Sequence, residues 1–206
     1  MEKNIIFDKR PLNKRFSDHE KQLFDHADVI AHFCKLIKPN VFLEYGMSNC
    51  STTKIVAPHC KLVIAVDLNP HENMHTIPNL IFHKMTTLEF GKILSAEKNY
   101  VIDVAFIDAW HESHTVYQDF EDIFPYVADN GIIFMHDTYP TIEEYTAPEF
   151  CYDSWKVPYL IKKFYGDKCE VLTMPLLPGL TIIRKIGKPP NWMNADSIDF
   201  DSYIKS

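Results

Sequence analysis

Runs of consecutive apolar residues alternate along this chain with segments whose apolar positions recur every three or four residues. The first kind reads as buried strand, at Val41–Tyr45, Leu62–Val66, Leu80–His83, Val101–Ile107 and Ile132–His136. Strands apolar at successive positions are buried on both faces, as in a parallel sheet covered by helices. The second kind falls between them, at Ser51–Ala57, Thr87–Ala96 and Ser113–Phe124, and predicts the connecting helices. Ahead of the first strand, Ser17-Asp-His-Glu20 forms a capping box. The helix it opens carries Leu23, Phe24, Ala27, Ile30, Ala31, Cys34 and Ile37 at helical spacing and ends near Lys38, before Pro39. A last helix is predicted at Pro158–Tyr165. Glu170–Met174 and Leu180–Arg184 then flank Pro178-Gly179, a turn signal between two strands that close the sheet as an antiparallel hairpin.

These elements predict one α/β domain, a Rossmann-like, doubly wound, mostly parallel seven-stranded sheet with helices on both faces and an antiparallel C-terminal hairpin. Within residues 1–206 the expected parts are a helical cap at 1–40, a core at 41–185, a lid-like insertion at 139–155 and a polar tail at 186–206.

Candidate chemistry begins at Glu44-Tyr-Gly46, where the first strand meets a turn followed by Ser48, Cys50, Thr52 and Thr53. The second strand ends in Asp67. In such a βαβ unit the backbone amides at the helix start approach a nucleotide and the acid takes the ribose hydroxyls. A pyrophosphate needs three glycines in the turn, and only Gly46 is present. A ligand with a ribose and no phosphates, such as S-adenosylmethionine, fits these residues better.

From Val41 to Arg184 the order of elements and the Glu44-x-Gly46 turn resemble the class I S-adenosylmethionine-dependent methyltransferases. The resemblance implies cofactor contacts from Glu44, Gly46, Ser48, Thr52, Asp67, Thr86, Thr87, Asp108 and Trp110. Cys50 stands where the family often has a second glycine, and Thr86 where it often has an acid.

A second cluster pairs Phe106-Ile-Asp108-Ala-Trp-His111 with Phe134-Met-His136-Asp137-Thr138. Two acids at the ends of adjacent parallel strands converge on the ligand crevice, where their repulsion calls for a proton or a hard divalent cation. This pattern resembles the metal-dependent small-molecule O-methyltransferases, which implies Mg2+ or Mn2+ held by Asp108, Asp137 and Thr138, the last in place of an asparagine. The Asp108-x-x-His111 spacing is similar to that of enzymes that methylate sugar hydroxyls on macrolides and other glycans. There His111 is the expected base beside Asp108, collecting the hydroxyl proton while a metal lowers the pKa of the hydroxyl.

The aromatic and acidic run from Tyr139 to Trp155 is expected to overhang the crevice, with His136, Tyr139, Tyr145 and Tyr152 as candidate acceptor contacts. His136 otherwise reads as a packed histidine. Asp18, His19, Asp25 and His26 on the first helix read as its solvated face, though they could line the crevice. His111, His136 and Asp137 could supply the two-histidine, one-carboxylate set of non-haem iron oxygenases, but their spacing makes no such arrangement evident.

Composition narrows the picture further. A net charge of −7 argues against a nucleic-acid partner, which needs a basic face. No apolar run approaches a membrane span, and the N-terminus lacks a signal-peptide pattern. Five cysteines without CxxC pairing suit reduced thiols and a cytoplasmic location. The expected partner is a small-molecule or glycan acceptor. An apolar edge near the final hairpin is compatible with a homo-oligomer. Two further classes stay open: a nicotinamide-dependent oxidoreductase, disfavoured by the missing glycines, and a non-catalytic nucleotide-binding scaffold on the same fold.

Overall fold

The computed structural model describes residues 25–97, 100–176 and 178–189. The capping box at Ser17–Glu20, with Asp18 and His19, lies outside the described residues, as does the tail from residue 190. Helix α1 is described as His26–Ile37 with its own capping box: Asp25 accepts from Ala27 and Asp28, and Asp28 reaches back to the Asp25 amide. Lys38 closes it in the left-handed conformation.

Among the described residues seven strands follow the predicted alternation, at Val41–Tyr45 (β1), Leu62–Asp67 (β2), Leu80–Lys84 (β3), Ile102–Ile107 (β4), Val127–His136 (β5), Cys169–Met174 (β6) and Leu180–Lys185 (β7). The helices between them are Ser51–Val56 (α2), Thr87–Glu97 (α3), Ser113–Ile123 (α4) and Val157–Tyr165 (α5). The sheet order is β3-β2-β1-β4-β5-β7-β6, parallel through β5 and antiparallel at β7 and β6. Strand β5 starts five residues earlier than its apolar run, because Val127–Gly131 pairs irregularly with the start of β4.

The core has two sides, and the strands feed them alternately, as a pleat requires. Leu43, Tyr45, Val66, Ala105 and Ile133 pack toward Phe90, Phe120 and Ile161 of α3, α4 and α5. Phe42, Val63, Ala65, Phe106 and Phe134 pack toward Ile30 and Cys34 of α1 and Val56 of α2. Each fully buried phenylalanine here contributes about 2–3 kcal/mol of transfer free energy.

From β1 the chain winds one way to β3, then returns to lay β4 and β5 on the other flank. The crevice at such a reversal, beyond the carboxyl ends of β1 and β4, is where open α/β sheets bind ligands. Gly46 closes this point tightly. It has φ +84, and a Cβ there would stand 2.2 Å from the Asp108 carbonyl oxygen.

Candidate active site

The turn after β1 keeps the shape of a glycine-rich loop with one glycine. Ser48 (φ 47) and Cys50 (φ 65) both adopt the left-handed conformation usually left to glycine. Cys50 therefore departs from the family pattern in composition but not in backbone course. Asp67, at the end of β2, accepts the Met47 and Ser48 amides at 2.9 and 3.0 Å and the Asn69 amide at 2.9 Å. Its carboxylate thus braces the loop as well as facing the crevice.

A cavity of ≈ 380 Å³ opens beside these groups, lined by Gly46, Asp67, Leu68, Met85, Thr86, Thr87 and Trp110 among others. Its size lies in the range of small-molecule sites, and its apolar walls with one carboxylate suit a nucleoside. Thr86 also caps α3, exchanging hydrogen bonds with Glu89 in a capping box. Ser48 is exposed and lines an adjoining polar cavity of ≈ 410 Å³ with Asn49, Asp67 and His71. Glu44 and Thr52 stand apart from these cavities, only 1% and 4% exposed. Glu44 accepts from the Thr53 hydroxyl at 2.6 Å, and burial pushes its pKa up to about 8.

Asp108 follows β4, and Asp137 follows β5 at φ 58. The two acids share imidazole neighbours. His111 Nε2 lies 2.9 Å from Asp137 Oδ2 and 3.8 Å from Asp108 Oδ1. His136 Nδ1 lies 3.2 Å from Asp108 Oδ1 and 3.3 Å from Asp137 Oδ2. Burial opposes charge on every member, yet the pairing prevails. Neighbouring carboxylates raise His111 and His136 to about 10, while the two imidazoles hold Asp137 well below the usual carboxylate range and Asp108 below its ordinary value. The His111 Nδ1 faces the Phe150 carbonyl, so Nε2 is the atom left for proton transfer.

His26 joins this group from the start of α1, with its ring 4.0 Å from that of His136 and 5.7 Å from that of Phe106. Burial and the charge on His136 lower its pKa. The reading of His26 as part of a solvated face is thereby corrected. A signal was present: His26, Ile30 and Cys34 follow one another at four-residue spacing, and the latter two are fully buried.

The segment after β5 folds down onto the cluster. Cys151 Sγ donates to Asp137 Oδ1 at 3.3 Å, Ser154 Oγ to the Asp137 carbonyl at 2.6 Å, and Ser113 to Asp153 through its amide and hydroxyl. Between this segment and the β4 turn lies a second cavity of ≈ 530 Å³, lined by Ala109, Trp110, His111, Glu112, Pro148, Glu149 and Tyr152. Ala109 and Trp110 belong to the walls of both this cavity and the Asp67 cavity.

A family model described as a methyltransferase domain matches residues 43–138, from β1 to just past Asp137. Together with the sheet order, the match places the chain on the Rossmann-like methyltransferase fold. Solved structures share its fold at low identity. A putative O-methyltransferase from Klebsiella pneumoniae is 15% identical with a TM-score of 0.63, covering 88% of this chain and 93% of that one. A Bacillus cereus O-methyltransferase in complex with S-adenosylhomocysteine is 12% identical with a TM-score of 0.61, at 88% and 93% coverage. A putative caffeoyl-CoA O-methyltransferase from Staphylococcus aureus is 15% identical with a TM-score of 0.61, at 84% and 90% coverage. No curated protein matches the chain.

On this fold, Gly46, Asp67, Thr86, Thr87 and Trp110 meet at one cavity, and Asp108, His111 and Asp137 meet beside the next. Thr138 stays out of the cluster: it is 3% exposed and its hydroxyl accepts from Thr181 at 2.8 Å. Of the candidate acceptor contacts, Tyr152 lines the second cavity. Tyr139 lines a separate cavity of ≈ 230 Å³, Tyr145 packs edge-on against Phe150, and His136 is turned into the carboxylates. His111, His136 and Asp137 do converge, which their spacing had not made evident. All five cysteines are free thiols, and among the described residues no helix is long and apolar enough to cross a membrane.

Proposed function

We propose that this methyltransferase moves a methyl group from S-adenosylmethionine to a hydroxyl of a sugar-like acceptor, with His111 as base and a divalent cation on Asp108 and Asp137. The observation that carries the reading is the place of His111, whose Nε2 reaches both carboxylates from the wall of the second cavity, next to the residues shared with the first. The cofactor supplies an electrophilic sulfonium methyl, and the cation would lower the pKa of the acceptor hydroxyl.

The chain's own residues do the rest. Asp67 holds the loop amides and faces the ribose end of the first cavity. Leu68, Met85 and Trp110 give it apolar walls for a purine. Trp110 and Tyr152 offer aromatic faces to sugar C–H groups, while Glu112 and Glu149 can accept sugar hydroxyls. The donor set fits a divalent ion, since two carboxylates meet at a common partner in His136. With a cation on those carboxylates, the negative charge that raises His111 is neutralised and its imidazole becomes free to take the hydroxyl proton.

The first experiment is calorimetric titration with S-adenosylhomocysteine on the wild type and on Asp67→Ala, followed by an acceptor screen with rhamnose- and fucose-type glycosides. Micromolar binding lost in the variant supports the cofactor site, and no wild-type binding refutes it. Transfer to a glycoside that drops by on the order of 10²–10⁴-fold in His111→Ala supports the base. Undiminished transfer in that variant refutes it. Cofactor binding without transfer to any glycoside would favour a non-catalytic protein on this fold.

A further inference from the structure

Adjacent ligands of an octahedral ion at about 2.1 Å stand about 3 Å apart. His136 Nδ1 stands 3.2 Å from Asp108 Oδ1 and 3.3 Å from Asp137 Oδ2, so imidazole and carboxylates already have the mutual spacing of neighbouring ligands. His136 is held there by its position at the end of β5, one residue before Asp137, and by the rings of His26 and Phe106 against it. Its side chain is only 12% exposed, and it lines neither of the two cavities. His111 reaches the same oxygens but borders the second cavity and is the more exposed of the two. One imidazole is placed to serve an ion and the other to serve an acceptor.

We infer that His136 is the third protein ligand of the metal centre, and that its nitrogen makes the site select a first-row transition ion such as Mn2+ or Co2+ over Mg2+. Magnesium is a hard ion that takes oxygen ligands almost exclusively, whereas imidazole raises affinity along the first transition row. A site built from Asp108, Asp137 and a hydroxyl or amide oxygen would accept magnesium readily. Here Thr138, the residue in line to supply that oxygen, is buried and committed to Thr181. The nearest remaining donor to both carboxylates on the buried side is the His136 nitrogen. The neutral ring suits this task with its proton on Nε2, an atom that is buried and without a hydrogen-bond partner, leaving the Nδ1 lone pair toward the carboxylates. The nearby His26 ring adds a second imidazole at the edge of the same pocket, within ligand reach of Asp108 and His136.

This inference rests on the metal centre of the proposed function and is tested without turnover. Metal-free protein is titrated calorimetrically with Mn2+, Co2+ and Mg2+, and the Mn2+ form is examined by pulsed electron paramagnetic resonance for imidazole-nitrogen modulation. The expected result is one equivalent of Mn2+ or Co2+ bound about 100-fold more tightly than Mg2+, with nitrogen modulation present. In His136→Asn, which offers an amide oxygen instead, the preference should shrink by about 10-fold or more and the modulation should fade. In His111→Ala both should persist. Equal affinity for Mg2+ and Mn2+, modulation that disappears in His111→Ala rather than His136→Asn, or no metal binding would each overturn the assignment. The same samples are titrated with S-adenosylhomocysteine. Cofactor binding without metal selectivity would end this inference alone, whereas absent cofactor binding would end the methyl-transfer reading. Retained cofactor binding in His136→Asn shows that the variant is folded, and the nitrogen modulation of the wild type needs no variant at all.

Discussion

Glu44→Gln should make the protein more stable at neutral and mildly alkaline pH, by an amount that grows with pH. Glu44 is 1% exposed, its recorded partner is the Thr53 hydroxyl, and burial pushes its pKa from 4.5 to about 8. A carboxyl whose pKa is raised on folding favours the folded state while protonated. That contribution is whole below the unfolded pKa near 4.5 and is lost as pH rises toward 8. At about 1.4 kcal/mol per pH unit, the full loss comes to about 5 kcal/mol. Glutamine retains an oxygen for the Thr53 hydroxyl but cannot ionise. The difference in unfolding free energy between variant and wild type should therefore widen steadily from about pH 5 to about pH 8 and then level off. Urea unfolding followed by far-ultraviolet circular dichroism, at unit steps from about pH 5 to about pH 9 and without cofactor, measures it directly. Asp119, raised by burial to about 7, titrates in both proteins and cancels in the difference. Parallel pH profiles for the two proteins would refute the reasoning, because they would mean that Glu44 does not carry its charge cost into the folded state.

Ser48→Gly should stabilise the fold by about 1 kcal/mol, since Ser48 is exposed and left-handed and glycine adopts that conformation freely; a thermal melt reads the change. Gly46→Ala should cost more than the about 1–2 kcal/mol of the left-handed conformation, because its Cβ would meet the Asp108 carbonyl, and S-adenosylhomocysteine affinity should fall with it in the same calorimetric assay. Tyr152→Ala should raise the KM for the acceptor about 10-fold while leaving S-adenosylhomocysteine affinity unchanged, because Tyr152 lines the second cavity and not the first; steady-state kinetics separates the two.

The parallel sheet was legible because β1, β2 and β4 are apolar on both faces, a pattern that few other arrangements produce. The start of β5 was not, because Asp129 and Asn130 look like loop residues and gain their strand character only from β4 alongside. Among the candidate residues, those at strand ends could be placed from the sequence: Gly46, Asp67 and Asp108 each follow the last apolar position of a strand, and Asp137 follows His136 at the end of β5. Residues whose task depends on what crosses above them were not. His26 stands at the sheet's end because α1 begins over β4 and β5; its spacing with Ile30 and Cys34 signals an inward face but not which strands lie beneath it. Thr138 was misplaced for the same reason, since its partner Thr181 arrives from a strand more than forty residues later.

That last contact ties the working centre to the final hairpin. Thr173, Thr181 and Thr138 hand hydroxyl hydrogen bonds from the edge strand to the turn that bears Asp137, and Pro178 accepts the Tyr139 amide. Every residue lining the Asp67 cavity lies between positions 46 and 115, so that cavity is complete in the chain well before β7 is made. On the ribosome, all the residues of that cavity are therefore made before the final hairpin. The turn that carries Asp137 gains its Thr181 brace only when the last strand slides in between β5 and β6.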